Sequence, residues 1–368
     1  MNRYLCEPNR LMLNNATAYH FAQNLGDISV YILPILALVG NSLTLLVILK
    51  NPQLNCSSYS VYVKSLAISD TLVLIFKLFS YLNKTSKYFY FSSMCTILVF
   101  CGESSVLLSV WIIVLITIER TLVVLFPLHK TKFVSINRAR VKIIIVAILI
   151  IVFSSRILII PMDTSIEQKN RCHPIASWQS YRRLNATITE FGYCYIPLTI
   201  VIIGNFLIIC TVKRAVIRRH GMLTNNSYQQ KRPIDLHENQ LMLMLLIVTL
   251  MFIVYFVPFT IINVISRLGL PFNHCFTQKS FEIYLVIRSF TELLKDLNFC
   301  TNFIIYCVSG RRFRYALFSL FKDHHRQSSI ISRNCKTTSN RTELLSIQNS
   351  HQRPCRLSLK PTIEETQC

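Results

Sequence analysis

The sequence predicts an all-α membrane protein, a bundle of seven transmembrane helices followed by a short amphipathic helix on the membrane surface. Hydrophobic residues make up 52% of the 368 residues, charged residues make up only 15%, and the mean hydropathy is +0.43. Soluble domains carry about 25% charged residues. Apolar runs of the length that a bilayer core requires, about 20 residues, recur along the whole chain.

These apolar runs define a transmembrane domain over residues 28–309, preceded by an extracellular N-terminal segment, 1–27. The segment 310–321, GRRFRYALFSLF, is too short and too basic to span a bilayer, so we expect it to lie along the membrane surface and contact lipid. The polar residues 322–368 predict a disordered cytoplasmic tail. The seven predicted spans are 28–49, 61–82, 94–118, 141–160, 191–213, 240–265 and 281–308.

The distribution of positive charge predicts the orientation in the plasma membrane. The net charge is +22, and Lys and Arg are concentrated in alternate loops and in the tail after the seventh span. Cytoplasmic loops are enriched in Lys and Arg, so the C-terminus is predicted inside and the N-terminus outside. Topology accounts for the basic composition, and no nucleic-acid-binding motif is present. Glycosylation sequons in predicted outer segments begin at Asn15, Asn83 and Asn185, and matches in inner segments are taken as chance.

Two of the 13 cysteines have informative positions. Cys95 opens the third span and Cys172 lies in the loop between spans four and five, so both face an oxidising compartment in the predicted topology. A disulfide between them would hold that loop over the third helix. The alternative is two unrelated cysteines, since spans often contain Cys as a small apolar residue. Whether Cys6 pairs with Cys275 is also open.

An ordered set of short motifs along the spans resembles the rhodopsin-like (class A) family of G-protein-coupled receptors, and the resemblance covers about residues 28 to 321. The end of the seventh span is most similar to invertebrate neuropeptide receptors. The motifs are Gly40-Asn41, Leu66-Ala67-Ile68-Ser69-Asp70, Glu119-Arg120-Thr121, Pro127-Leu128, Pro197, Phe252 with Pro258, and Asn302-Phe303-Ile304-Ile305-Tyr306.

The resemblance implies a polar core that can hold a sodium ion without any required cofactor. Asp70 is an ionisable residue near the middle of a span, where charge is costly and usually functional. A carboxylate with neutral oxygens suits a hard cation. The alternative is a hydrogen-bonded polar cluster that joins the helices. The residues expected there are Asn41, Asp70, Ser109, Asn298 and Asn302, with Asp70 and Ser109 as the expected ion ligands.

The resemblance also implies a switch in which Glu119 and Glu238 hold Arg120 until a ligand moves the sixth helix outward. An ordinary ion pair at the membrane interface is the alternative. Arg120, Pro127 and Leu128 would then contact a heterotrimeric G protein. The switch residues expected from the family are Glu119, Arg120, Glu238, Phe252, Phe256, Pro258, Asn302 and Tyr306.

Four positions depart from the family pattern. Thr121 occupies the usual tyrosine position after the arginine, and Asn205 occupies a position in span five where a tyrosine normally steadies that arginine. Phe256 replaces a tryptophan and so lacks the indole N–H. Phe303 replaces a proline, which predicts the loss of a helix distortion in span seven.

The predicted outer cavity combines aromatic residues with charges of both signs, and this mixture favours a peptide ligand. Gly102 stands where amine receptors have an aspartate, so an amine ligand is disfavoured. Asp296 stands near the position at which light receptors of the family have the lysine that binds retinal, so photoreception is disfavoured as well. Glu103 and Glu292 are expected to receive an arginine or amine of the ligand. Internal pairing of Arg288 with Glu292 and of Glu103 with Lys77 is the alternative, and a non-peptide ligand stays open. The expected ligand-binding residues are Glu103, Phe256, Phe259, Arg288 and Glu292.

Other function classes fit the sequence less well. A transporter predicts internal repeats, and none is visible. The nine histidines lie in predicted loops and tails, so no predicted span carries histidine ligands for a catalytic metal, and an enzyme is not expected. Ser and Thr residues in the tail suit phosphorylation by a receptor kinase and binding of arrestin, by analogy with the family.

Overall fold

The computed structural model of the protein describes residues 17–85, 94–129, 133–160, 176–223, 233–267 and 278–320. All regular secondary structure in these residues is helical. The structure therefore confirms the all-α fold class predicted from the sequence.

The helices follow the predicted spans in order. An apolar segment in a bilayer must satisfy every backbone N–H and C=O internally, which a helix does. The helices are α1 (Thr17–Lys50), α2 (Ser58–Thr85), α3 (Met94–Leu125), α4 (Ile136–Ser154), α5 (Gln179–Glu190, a π turn at Phe191–Tyr195, then Ile196–Leu223), α6 (Pro233–Arg267), α7 (Gln278–Leu297 and Asn302–Ser309) and α8 (311–320).

Six helices of the described chain, α1 to α6, are long and apolar enough to cross a membrane. The seventh predicted span, α7, differs from them in two respects. It carries several charged side chains in its first segment, and it is interrupted after Leu297. The ion pairs of these charged side chains and the contacts of α1 with the interruption are described below.

Several helices extend beyond the predicted spans. The first begins at Thr17, so part of the segment 1–27 is helical. The third continues past Arg120 to Leu125, and the fifth begins at Gln179 rather than at residue 191. The sequence-based boundaries counted only apolar residues, whereas a helix continues into water wherever its polar turns remain hydrogen-bonded.

A π turn, Phe191–Tyr195, replaces one α-helical turn in α5. The amide of Ile196 bonds to the carbonyl of Phe191, five residues earlier. The carbonyl of Gly192 accepts a hydrogen bond of 3.0 Å from the indole N–H of Trp111 on α3. A Cβ on Gly192 would lie 3.3 Å from Leu107. The turn therefore brings the α5 backbone against α3, in agreement with the tendency of π turns to occur at functional positions.

The interruption of α7 is present although Phe303 replaces the family's proline, so the prediction of an undistorted helix was wrong. Residues 298–301 form turns between the two helical segments. Two neighbours on α1 stabilise them. Asn41 donates a hydrogen bond of 3.3 Å to the carbonyl of Phe299. Gly40 leaves room for Phe303, whose Cβ would lie 3.2 Å from a Cβ at that glycine. Partners from a neighbouring helix thus maintain the break without a proline.

The helices α3 and α5 approach each other closely at Gly204. A Cβ placed there would lie 2.5 Å from Cγ2 of Thr117 and 3.0 Å from Oγ1 of Thr121. The Thr121 hydroxyl lies 3.4 Å from the Gly204 carbonyl and also donates to the carbonyl of Thr117. A small hydroxyl at 121, where the family has tyrosine, therefore allows the two backbones to meet.

We expect Gly204→Ala to destabilise the protein by about 1–3 kcal/mol, because the new methyl overlaps a β-branched side chain that cannot turn away. Thr117 is held by a hydrogen bond from its hydroxyl to the carbonyl of Ile113. The control is Gly102→Ala, where the nearest atom is 3.8 Å from the new Cβ. Thermal unfolding of both variants in detergent tests this, and equal melting temperatures would contradict the packing at Gly204.

Candidate functional site

A buried carboxylate joins three helices in the middle of the bundle. Asp70 of α2 has no solvent exposure. The Ser109 hydroxyl of α3 donates to its Oδ1, and Asn302 Nδ2 of α7 donates to its Oδ2 at 2.7 Å. The structure therefore brings Asp70 together with two of the partners expected from the sequence. We call Asp70, Ser109 and Asn302 the polar junction.

The other two expected members of this cluster have different contacts. Asn41 donates to Thr71 Oγ1 at 3.0 Å as well as to the α7 break. Asn298 is buried, and its Nδ2 has no hydrogen-bond partner among the described residues. A buried amide without a partner is unusual in a native structure. Asn41 thus anchors α7 to α1, and Asn298 contributes a buried polar atom near the break.

Two aromatic rings of α6 pack against each other in the interior of the bundle. Phe252 and Phe256 are fully buried, and their ring centroids are 4.2 Å apart. Pro258 lies inside the same helix, and Tyr306 of α7 is buried as well. Phe256 retains the aromatic volume of the family's tryptophan, and its ring needs no hydrogen-bond partner in the apolar interior.

At one end of the bundle, Glu119 is bound by α2 and α4. Tyr62 donates to its Oε2 at 2.7 Å and Ser58 to its Oε1 at 3.3 Å. Lys142 Nζ lies 3.0 Å from Oε2. The expectation that Glu119 pairs with Arg120 is therefore wrong. Among the described residues, Glu119 forms its ion pair with Lys142. No sequence motif marks Lys142, but its position nearly two turns into α4 could have suggested an inward-facing cation.

Arg120 lies beside a small cleft between α3, α5 and α6. Glu238 belongs to α6, but its side chain lies outside the described residues, so its expected pairing with Arg120 stays a prediction. Beyond the end of α3, Pro127 and Leu128 form a short 3-10 turn, and Leu128 is 93% exposed. The residues that line the cleft are Thr117, Arg120, Ile208, Leu245, Leu246 and Thr249.

Asn205 links α5 to α6 next to this cleft. Thr249 donates a hydrogen bond of 2.9 Å to Asn205 Oδ1, and Asn205 Nδ2 donates to the carbonyl of Val201 at 2.8 Å. Asn205 occupies the position where the family has tyrosine. In this structure it therefore holds the two helices together through a hydrogen bond between side chains.

At the other end of the bundle, which holds Cys95, an ion pair joins three helices. Arg156, in the 3-10 turn after α4, lies 2.5 Å from Glu103 of α3. Arg156 also donates to Thr189 of α5 at 2.5 Å, and Thr189 donates to Glu103 at 3.1 Å. The sequence interpretation missed Arg156, although an arginine inside an apolar span is a visible signal.

The charges of α7 are paired as well. Arg288 and Glu292 form an exposed ion pair of 3.2 Å, as the internal-pairing alternative predicted. Lys77 pairs with Asp296, not with Glu103, so that part of the alternative was wrong. Lys295 lies 3.6 Å from the same aspartate and 4.6 Å from the ring centroid of Phe259. Of the five expected ligand-binding residues, Phe256 and Phe259 are buried on α6 and the other three are ion-paired.

The structure describes some of the residues predicted to form a disulfide or to be glycosylated. Cys95 is disulfide-bonded, whereas Cys172 and Asn15 lie outside the described residues. Asn83 is buried within α2, where its amide lies 3.3 Å from the sulfur of Cys95, and Asn185 is buried in α5. The prediction that these two asparagines are glycosylated is therefore wrong for this structure, because an acceptor amide must reach solvent. Among the described residues, no group of three His, Cys, Asp or Glu side chains could hold a metal ion.

Comparison with known proteins decides the family. The family model "7 transmembrane receptor (rhodopsin family)" matches residues 40–306. The chain belongs to this family. It is 24% identical over 292 residues to galanin receptor 2b of Danio rerio, a match that covers 78% of this chain and 72% of the relative. It is 23% identical to C-C chemokine receptor type 1 of Macaca fascicularis, with 80% and 78% covered, and 24% identical to somatostatin receptor type 3 of Homo sapiens, with 76% and 64% covered.

The protein is thus a multi-pass membrane receptor rather than an enzyme, as predicted from the ordered motifs. The receptor has its polar junction at the place where that resemblance expects a functional aspartate. It differs from the expectation at both ends of the bundle, where Lys142 and Arg156 neutralise the acids of α3.

We expect Arg156→Gln to destabilise the receptor by about 3–5 kcal/mol, because it leaves the largely buried Glu103 carboxylate without its cation. Adding Glu103→Gln should recover most of that loss, since the double variant buries no unpaired charge. Thermal unfolding of the two single variants and the double variant measures the coupling. Additive losses would contradict the ion pair.

Proposed function

We propose that this receptor binds an extracellular peptide and activates heterotrimeric G proteins. The observation that carries the proposal is the mixture of charged and aromatic side chains towards the Cys95 end, where the partly exposed Lys77 and Lys295 lie beside Asp296 and Phe259. Charged groups inside a bundle are costly unless they face a wet cavity or each other. A peptide offers both charges and apolar groups to such a cavity. The names of the galanin, chemokine and somatostatin receptors support a peptide-like ligand by similarity.

In this proposal, the Cys95 end faces outward and the Arg120 end faces the cytoplasm. Cys56, in the loop between α1 and α2, and Cys95 are both disulfide-bonded, so the orientation rests on the charge of the loops. The excess of Lys and Arg in the alternate loops at the Arg120 end agrees with it.

The cleft beside Arg120 would receive a helix of the G protein once α6 moves outward. Its lining combines the Arg120 guanidinium with apolar side chains of α5 and α6, which suits the amphipathic face of a partner helix. The hydrogen bond between Thr249 and Asn205 crosses from α6 to α5 at this cleft. Outward movement of α6 would break it, so it acts in the proposal as a restraint on the closed conformation.

The proposed function is tested by a peptide library applied to cells that express the receptor, with calcium and cyclic AMP as readouts. We expect at least one peptide to produce a signal that untransfected cells lack. Arg120→Ala should abolish the signal while labelled peptide still binds, because the arginine lies in the inner cleft. Signals from non-peptide fractions alone would contradict a peptide ligand and favour a small molecule.

We also propose that the polar junction binds a sodium ion. Asp70 is fully buried, and its partners in the junction, Ser109 and Asn302, are neutral. An ionised carboxylate in this environment is costly without a counter-ion. A carboxylate with hydroxyl and amide oxygens matches the oxygen ligands that hard cations prefer. Asp70 and Ser109 would hold the ion, and its charge would stabilise the ionised carboxylate in the closed conformation.

Replacing potassium with sodium at constant ionic strength should weaken agonist binding by roughly tenfold, a common size for coupling between two sites. Asp70→Asn should remove this dependence, because the amide carries no charge for the ion. Agonist titrations in membranes from the wild type and the variant measure it. Equal affinities in both salts for the wild type would exclude the ion site.

Leu128→Asp should reduce G-protein activation by roughly tenfold, as expected for loss of one apolar anchor at an interface. Leu128 is an almost fully exposed leucine at the Arg120 end. Leu184→Asp is the matched control, since that leucine is also exposed but lies near the start of α5 at the opposite end. Agonist-stimulated nucleotide exchange should fall in the first variant only. An equal effect of both variants would contradict a contact at Leu128.

A further inference from the structure

Two lysines share one carboxylate in the outer half of the receptor. Lys77 of α2 pairs with Oδ2 of Asp296, and Lys295 lies 3.6 Å from Oδ1 of the same side chain. Both oxygens of the aspartate are therefore engaged. Two ammonium groups and one carboxylate leave this cluster, which we call the lysine pair, with one positive charge in excess.

The aspartate of this cluster is far less exposed than its two lysines. Asp296 is 3% exposed, whereas the side chains of Lys77 and Lys295 are 38% and 21% exposed. The acid is thus enclosed, whereas both lysine side chains are partly accessible. An ammonium group has three N–H donors. Among the described residues, Lys77 donates to Asp296 Oδ2, and the 3.6 Å contact of Lys295 with Oδ1 is an ion pair too long for a hydrogen bond, so donors remain on both lysines for a further acceptor.

Two acids of the same half, Glu103 and Glu292, do not offset this excess. Glu103 is paired with Arg156, and Glu292 is paired with Arg288. These were the residues from which the sequence predicted a site for a ligand arginine or amine. Both of these acids are neutralised by arginines, whereas in the lysine pair two cations share one acid. Electrostatic complementarity then favours an anionic group in the ligand.

The depth of the lysine pair restricts the shape of that ligand. Lys77 lies eight residues before the end of α2 at Thr85, about 12 Å along a helix at 1.5 Å per residue. An extended chain covers this distance with about four residues at 3.3 Å each. Phe259, whose ring lies beside the Lys295 ammonium, offers an apolar contact at the same place.

We infer that the lysine pair binds a carboxylate of an extended peptide segment, either its C-terminal carboxylate or an Asp or Glu side chain. This inference rests on the proposed function and specifies the ligand chemistry of the same cavity. Each ammonium donates to the ligand oxygens while Asp296 retains both cations in place. Charge-assisted hydrogen bonds of this kind are the stronger ones in proteins.

The test uses the purified full-length receptor in lipid nanodiscs and matched pools of random synthetic hexapeptides. One pool has a free C-terminus and no Asp or Glu, a second is amidated and contains them, and a third is amidated and lacks them. Peptides retained by the receptor are counted by mass spectrometry. We expect the wild type to retain the first or the second pool about tenfold more than the third, the effect of one charged hydrogen bond, and the preferred pool identifies the source of the carboxylate.

Lys77→Gln and Lys295→Gln should each remove this preference. Each substitution leaves Asp296 one ammonium partner, so no buried acid is left unpaired. Lys84→Gln is the control, because it removes the same charge from an exposed position at the end of α2. Should either single variant fail to fold, Lys77→Gln and Lys295→Gln combined with Asp296→Asn remove both cations and the acid together and give the same test.

Equal retention of all three pools would overturn the lysine pair as a carboxylate site and leave the peptide proposal intact. A preference for carboxylates that persists in both lysine variants would overturn it as well. Retention of no peptide at all, with a folded receptor, would overturn the proposed function together with this inference.

Discussion

Asp70 places a carboxylate at the centre of an apolar bundle, and each of its oxygens accepts a hydrogen bond from a different helix. The bond from Asn302 holds the second segment of α7 against α2, and the bond from Ser109 holds α3. Because a buried polar group without partners costs free energy, these helices cannot separate without replacing the bonds. The break in α7 lies directly before Asn302, so the register of the last segment depends on the same carboxylate.

The two ends of the bundle neutralise an acid of α3 in the same way. Each acid of α3, Glu103 and Glu119, lies in a largely dry setting and is neutralised by a basic residue at an end of α4. The fourth helix otherwise contributes few buried residues, and its exposed apolar surface suits lipid. Its two ion pairs therefore fix the position of a helix that packing alone holds weakly. Ligand entry at one end and α6 movement at the other would both act on α3, to which these pairs are attached.

Much of this arrangement was predictable from the sequence. The predictions that failed all depend on contacts between helices. The helix order follows from the apolar runs and the family from the ordered motifs, and the resemblance to that family implied the contact of Asp70 with Ser109 and Asn302. The partners of Glu103 and Glu119 do not, because pairing between helices depends on rotation angles that a motif leaves undefined. The break in α7 was missed because the prediction attributed it to a proline alone, whereas Asn41 and Gly40 supply it from α1. Asn83 and Asn185 match a sequon, yet helix packing buries them.

The most direct test of the account is peptide-stimulated nucleotide exchange on a panel of purified G proteins by the receptor reconstituted in vesicles. The account predicts that an active peptide accelerates exchange on at least one G-protein class in the wild type. It further predicts that Asn302→Ala, which removes the donor to Asp70 Oδ2, weakens that acceleration while peptide binding persists. Acceleration of the wild-type size in Asn302→Ala would contradict the central role of the polar junction, and no acceleration by a peptide-bound wild type would contradict the proposed function.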